Sequence, residues 1–148
     1  MTTIDPVTAR RERRERVVLE HMQSENVQEW DRTMATFSHP RYELIPTGQV
    51  IDGHDDVMAY WRAGRSVFTD QRNELISLRH CDDAVVIEFW LRGTHLGGSN
   101  PSGRKFKCRM CAIFGFDEDD LMTNEQVYFD QTTIANQLSG LIPVDDDE

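Results

Sequence analysis

What the chain lacks narrows it first. No apolar run approaches the ~18 residues of a membrane-spanning helix, which excludes a helical integral membrane protein. The stretch "MTTIDPVTARRERRER" has no apolar segment of the secretory type, so the expected location is the cytoplasm. Positive charge is in deficit. Lys and Arg number 16 against 26 Asp and Glu, a net charge of -10, which argues against nucleic acid and anionic membranes as partners. Cysteine is scarce and odd in number, at three, which in this setting means free thiols. Cys108 and Cys111 have C-x-x-C spacing, but in a strand an offset of three puts their side chains on opposite faces, so core packing is expected rather than a shared zinc.

Familiar catalytic signatures are missing as well. There is no serine elbow, no HExxH and no nucleotide fingerprint. Gly97, Gly98 and Gly103 lead from one strand into another, with no helix N-terminus to receive a phosphate. His39, His54, His80 and His95 fall in different elements without ligand spacing, so neither a metal nor a cofactor is expected.

What is present reads as one domain over residues 1–142 and an acidic tail over 143–148. A helix is predicted from Thr8 to Asn26, with Val18, His21, Met22 and Glu25 on one face. Val27, Trp30, Met34 and Phe37 recur at helical steps and predict a second, short helix. Short strands "RYELI" and "QVI" follow, and then a helix over "HDDVMAYWRAGRSVF" whose buried stripe is Val57, Tyr60, Trp61, Gly64 and Phe68. From Gln71 the period changes to two. Four strands are predicted, "QRNELISLRH", "AVVIEFWLRGTH", "RKFKCRMCAIFGF" and "LMTNEQVYFD", with a hairpin tip at "LGGSNPSG" and a closing helix "QTTIANQLSG". Helices followed by a meander give an α+β fold: a curved, mostly antiparallel sheet wrapped by N-terminal helices into a cone-shaped barrel with an internal pocket.

Asp130 sits between the last strand and the closing helix. It either caps the amides of Thr132 or Thr133 or faces the pocket with Gln126 and Tyr128, which share its face at period two. In an apolar pocket its pKa would be raised and it could take a proton next to a carbonyl. His95 ends a face that also carries Val85, Ile87, Phe89 and Leu91, so it either reaches the pocket mouth or is satisfied by loop carbonyls. His21 lies on the inner stripe of the first helix, as a core or rim residue or as a catalyst. Trp30, Tyr42, Tyr60, Tyr128 and Met110 are the candidates for the pocket wall. The mixed face of Glu88, Trp90, Arg92 and Thr94 is the expected contact with a second copy of the chain.

The order of "HPRYELIPTGQVIDG", "FTDQ", "GTHLGG", "PSGR" and "VYFDQTTIANQL" resembles the SnoaL-like polyketide cyclases of the nuclear transport factor 2-like, or cystatin-like, superfamily. That superfamily also holds ketosteroid isomerase and scytalone dehydratase. The resemblance covers roughly Val17 to Leu141. It implies a curved sheet around an apolar pocket, homodimers through the outer sheet face, and cofactor-free aldol chemistry with Asp130 as general acid/base. Cyclases of this kind carry a histidine on the strand before the last, where this chain offers Cys108, Met110 and Ala112. The functional expectation is therefore proton abstraction next to a carbonyl on an apolar substrate, with Asp130 and His95 as catalytic candidates. The alternatives are a non-catalytic binding module for a hydrophobic small molecule and a purely structural dimerisation domain.

Overall fold

In the computed structural model, which describes residues 3–97 and 100–145, the first helix opens at Asp5. Its carboxylate accepts the Thr8 amide at 3.1 Å, and Pro6 starts α1 (Pro6–Asn26) at the position where a missing N–H costs nothing. The buried stripe of α1 includes Val18, His21 and Met22, as its spacing predicts. Arg14 is buried as well. Its guanidinium reaches the Asp120 carboxylate at 2.9 Å and the Asp82 carbonyl at 2.8 Å. Arg10 and Arg13 converge on the same carboxylate at 3.3 and 2.8 Å. Part of the Arg-rich helix end is thus a clamp on Asp120, which lies in the turn after the longest strand, rather than a wholly solvated face.

The second helix is shorter than its pattern predicts: α2 spans only Trp30–Met34, and Phe37 lies beyond it as a bridge partner of Met122. Strands β1 (Arg41–Leu44) and β2 (Gln49–Asp52) form a hairpin, and α3 (His54–Val67) follows. Then come β3 (Arg72–His80), β4 (Ala84–Gly97), β5 (Asn100–Phe116) and β6 (Met122–Tyr128). The chain closes with α4 (Gln131–Ser139), ended by Gly140 in the left-handed conformation that favours glycine. Two calls fall partly beyond these residues: the hairpin tip at 98 and 99, and the tail at 146–148, lie outside the described residues.

All six strands join one sheet in the order β2-β1-β6-β5-β4-β3. Every neighbouring pair is antiparallel except β1 with β6. The sheet curves but does not close, because β2 and β3 remain at its edges. Its concave face carries Val85, Ile87 and Phe89 of β4 and Phe106, Cys108, Met110, Ala112 and Phe114 of β5, all buried. Cys111 lies on the other face, level with Glu88 and Tyr128, so the two cysteines do point apart. On that outer face the Lys107 ammonium lies 4.3 Å from the Trp90 ring centroid, and Arg109 pairs with Glu88 at 2.8 Å.

Two irregularities shape the cavity end of the sheet. Between Gly115 and Phe116 the β5–β6 register slips: Gly115 faces Asn124, but Phe116 faces Met122. Thr123 is the extra residue, a bulge that inverts the strand's alternation. Met122 and Glu125 are therefore both buried although three residues apart. Secondly, β6 covers β5 only from Cys111 to Phe116. Next to the uncovered part, Gln137 of α4 accepts from the Lys107 amide at 2.9 Å and donates to the Lys107 carbonyl at 3.0 Å, doing for that edge what a strand would do.

Candidate functional site

The concave face and the helices enclose a cavity of about 240 Å³. Its polar end is assembled from three elements. Helix α1 brings His21 and, one turn later, Glu25. Strand β6 brings Glu125, level with Phe114 on one neighbouring strand and with Tyr42 on the other. His21 Nε2 lies 3.2 Å from Glu25 Oε1, 3.4 Å from Glu125 Oε2 and 3.2 Å from Tyr42 Oη.

Counting hydrogens assigns the protonation state. Thr36 donates its only hydroxyl proton to the Thr33 carbonyl at 2.6 Å, so its oxygen can only accept from His21 Nδ1, at 2.9 Å. Tyr42 donates to Glu25 Oε1 at 2.8 Å and accepts from Trp61 Nε1 at 3.0 Å. The Tyr42 oxygen and the ionised Glu25 carboxylate facing Nε2 are therefore acceptors, and Nε2 must carry a proton too. His21 is an imidazolium. Burial alone would lower its pKa, but the charge of Glu25 and the bonds to Glu125 and Glu25 outweigh it and hold the value up at about 10.

The two carboxyls are driven apart. Burial raises both, but Glu25, with the His21 charge and bond, Arg65 and the Tyr42 hydroxyl in its favour, ends below the usual range. Glu125 ends above it, because burial and the neighbouring Glu25 charge outweigh His21. Its buried Oε2 has the His21 ion-pair contact at 3.4 Å, too long and poorly aligned to satisfy it as a good hydrogen bond. Two carboxyls with opposite shifts in one cavity are the pattern of an acid/base pair, one fixed as an anion and one poised to exchange a proton. Burial, and then the charges of Glu25 and Glu125, also push the Tyr42 phenol well above its ordinary pKa, so it stays a donor.

The wall is aromatic and aliphatic. Tyr60, Trp61, Phe68, Phe89 and Phe106 border the cavity, with Met110 among the aliphatic groups. Trp61 is stacked on Trp30 at 5.2 Å, with the ring planes 16° apart. Arg65 donates to the Glu25 carbonyl at 3.2 Å and lies over the Trp30 ring. Among the described residues, one group brings potential metal ligands together: His21, Glu25 and Glu125, whose ligand atoms fall within 4.8 Å.

Of the residues singled out from the sequence, Tyr42, Tyr60 and Met110 line the cavity. Trp30 supports the wall from behind Trp61 without bordering the space. Three assignments need correction. Asp130 stands outside the cavity, exposed, as the N-cap of α4: it accepts from the Thr132 and Thr133 amides at 3.0 and 3.3 Å and from the Thr133 hydroxyl at 2.9 Å. The Thr133 hydroxyl and amide, with the Thr132 amide, hold its pKa below the ordinary value, the sign of a cap and not of a buried base. Tyr128 is 41% exposed on the outer face, because the Thr123 bulge turns Glu125, Val127 and Phe129 inward instead of Gln126 and Tyr128. His95 is exposed at the far end of β4, its ring 5.7 Å from that of Phe68, and does not border the cavity.

Sequence reasoning missed Glu125 and gave Glu25 no role beyond a place beside His21. The available signal was the pair Val127 and Phe129: a lone carboxylate in step with two apolar residues at period two.

The model of the SnoaL-like domain family matches residues 18–125. No curated protein matches the sequence. Solved structures share the fold at low identity. A phenazine biosynthesis-related protein from Pseudomonas aeruginosa is 19% identical with a TM-score of 0.73, covering 95% of this chain and 93% of its own. A protein of ketosteroid isomerase-like fold from Catenulispora acidiphila, solved in complex with trimethylamine, is 14% identical with a TM-score of 0.73, over 83% of this chain and 92% of its own. The epoxide hydrolase/cyclase-like enzyme SalBIII of salinomycin pyran-ring formation is 16% identical with a TM-score of 0.68, over 83% and 95%. In the described residues, no helix is long and apolar enough to cross a membrane.

Proposed function

The chain belongs to the SnoaL-like domain family, and from that premise we propose that its cavity takes up an apolar carbonyl compound and moves a proton on it, with Glu125 as general acid/base. The family and the fold support small-molecule binding. The observation that carries the chemistry is Glu125 itself: a buried carboxyl, raised in pKa, bordering an aromatic cavity and touching an imidazolium.

The step is simple in outline. The Glu125 carboxylate takes a proton from a carbon next to the substrate carbonyl. The C–H electron pair moves into the new C=C bond and the carbonyl oxygen takes up negative charge. That charge develops in a cavity bordered by two cations, His21 and Arg65. Glu25 fixes the imidazolium and stays ionised. Returning the proton to another carbon gives an isomerase; attack of the enolate on a second carbonyl of the same molecule gives a cyclase.

A substrate-independent test uses 5-nitrobenzisoxazole, a small bicyclic compound that opens when a base removes its C–H proton and the N–O bond breaks to release a coloured phenolate. Turnover should rise with pH as Glu125 ionises, through a pKa above the usual carboxylate range. Glu125→Gln should lower it by about 10²-fold or more. Turnover unchanged in Glu125→Gln would leave the cavity as a binding site only.

A further inference from the structure

We infer that the cavity is cut for a carbonyl compound of one or two rings, and that Phe106, seated on Gly93, sets this limit. The carbonyl rests on the proton-transfer reading above; the size does not. An apolar protein cavity of ~150 Å³ holds one benzene. In proportion, the cavity of about 240 Å³ holds roughly ten non-hydrogen atoms, the size of a bicyclic ketone and far short of a tetracyclic polyketide or steroid.

The walls have little room to retreat. Phe106 faces Gly93 directly across the β4–β5 ladder and is 3% exposed. A Cβ on Gly93 would stand 2.7 Å from Phe106 Cε1, so the ring already lies flush on the backbone behind it. The same ring meets that of Phe68 edge-on, with centroids 5.1 Å apart. Elsewhere on the wall, Phe114 and Ile87 are each 1% exposed and packed into the core, and Trp61 is backed by Trp30. A larger guest could be held whole within the cavity only by displacing close-packed side chains, and native interiors resist that at the scale of a single methylene.

The experiment is a fluorescence titration, since Trp61 borders the cavity. The probes are decalone, a bicyclic ketone, and androstenedione, a tetracyclic diketone. Decalone should quench saturably and bind wild-type protein at least tenfold more tightly than androstenedione. In Phe106→Ala the gap should close, and in Gly93→Ala, where Phe106 is forced inward, decalone should weaken. Androstenedione binding wild-type protein as tightly as decalone overturns the inference, as does a failure of decalone to bind. That comparison is made on the wild-type chain, so it stands even if a variant does not fold. Decalone binding without nitrobenzisoxazole turnover sinks only the proton-transfer reading; turnover with equal affinity for both ketones sinks only the size limit.

Discussion

Stability should fall steeply with pH in a range where few proteins change much, because of His21. Its imidazole titrates near 6.5 when free and near 10 in the fold. Between those values the folded chain holds a proton that the unfolded chain has shed. The stabilisation is therefore complete below pH 6.5 and drains away as pH climbs toward 10. One such proton corresponds to about 1.36 kcal/mol per pH unit. From pH 7 to 8.5 the free energy of unfolding should drop by about 2 kcal/mol. Unfolded thiols begin to ionise near the top of that window, and because burial raises the Cys108 and Cys111 thiols in the fold they act in the same direction. Glu125 acts in the same direction if it still titrates there, since its pKa too is raised by burial and by Glu25. Urea unfolding at several pH values reads the slope, and long-range proton–nitrogen spectra of the imidazole read its cause. A flat stability between pH 7 and 8.5, or one bare ring nitrogen on His21 at pH 8, would refute the hydrogen count that makes His21 a cation.

Three further outcomes follow from the geometry. Asp120→Ala removes the shared partner of three arginines and strands the buried Arg14, so it should cost about 3–5 kcal/mol in denaturant unfolding. Asp130→Asn keeps an acceptor for the α4 amides and should change neither the melting temperature nor nitrobenzisoxazole turnover, while Asp130→Ala should lower the melting temperature and still spare turnover. We expect the outer sheet face around Trp90 to meet a second copy of the chain: sedimentation velocity should give a dimer for the wild type and a monomer for Trp90→Glu.

The helices, strands and their order were readable because each depends on local chemistry. Gly140 stops α4 and the alternation of β4 and β5 repeats for many residues without ambiguity, although α1 starts at Pro6, two residues before the predicted Thr8. The site was less readable because it depends on parity. Counting by twos back from Asp130 puts Tyr128 and Gln126 inside, whereas counting from Val127 and Phe129 puts Glu125 there, and nothing in "DEDDLMTNEQVYFD" announces the bulge at Thr123 that lets Met122 be buried as well. Asp130 was also equally good chemistry for two jobs, and only its hydrogen bonds decide that it caps. His21 and Glu25 were placed on the right face, but their meaning comes from Glu125 and Tyr42, which reach them from strands about a hundred and about twenty residues away.

The bulge at Thr123 means that the site is specified partly by a register. Deleting Thr123 would keep Glu125 inward, whereas pairing it as an ordinary rung of the ladder would change no residue of the chain and yet turn the rest of the strand over, trading Glu125, Val127 and Phe129 for Asn124, Gln126 and Tyr128. A carboxyl would leave the pocket and two amides would enter it. For chains of this fold, whether one residue stands out of the ladder here is therefore a chemical difference, and two sequences that both spell "NEQVYFD" can offer different groups to the same cavity.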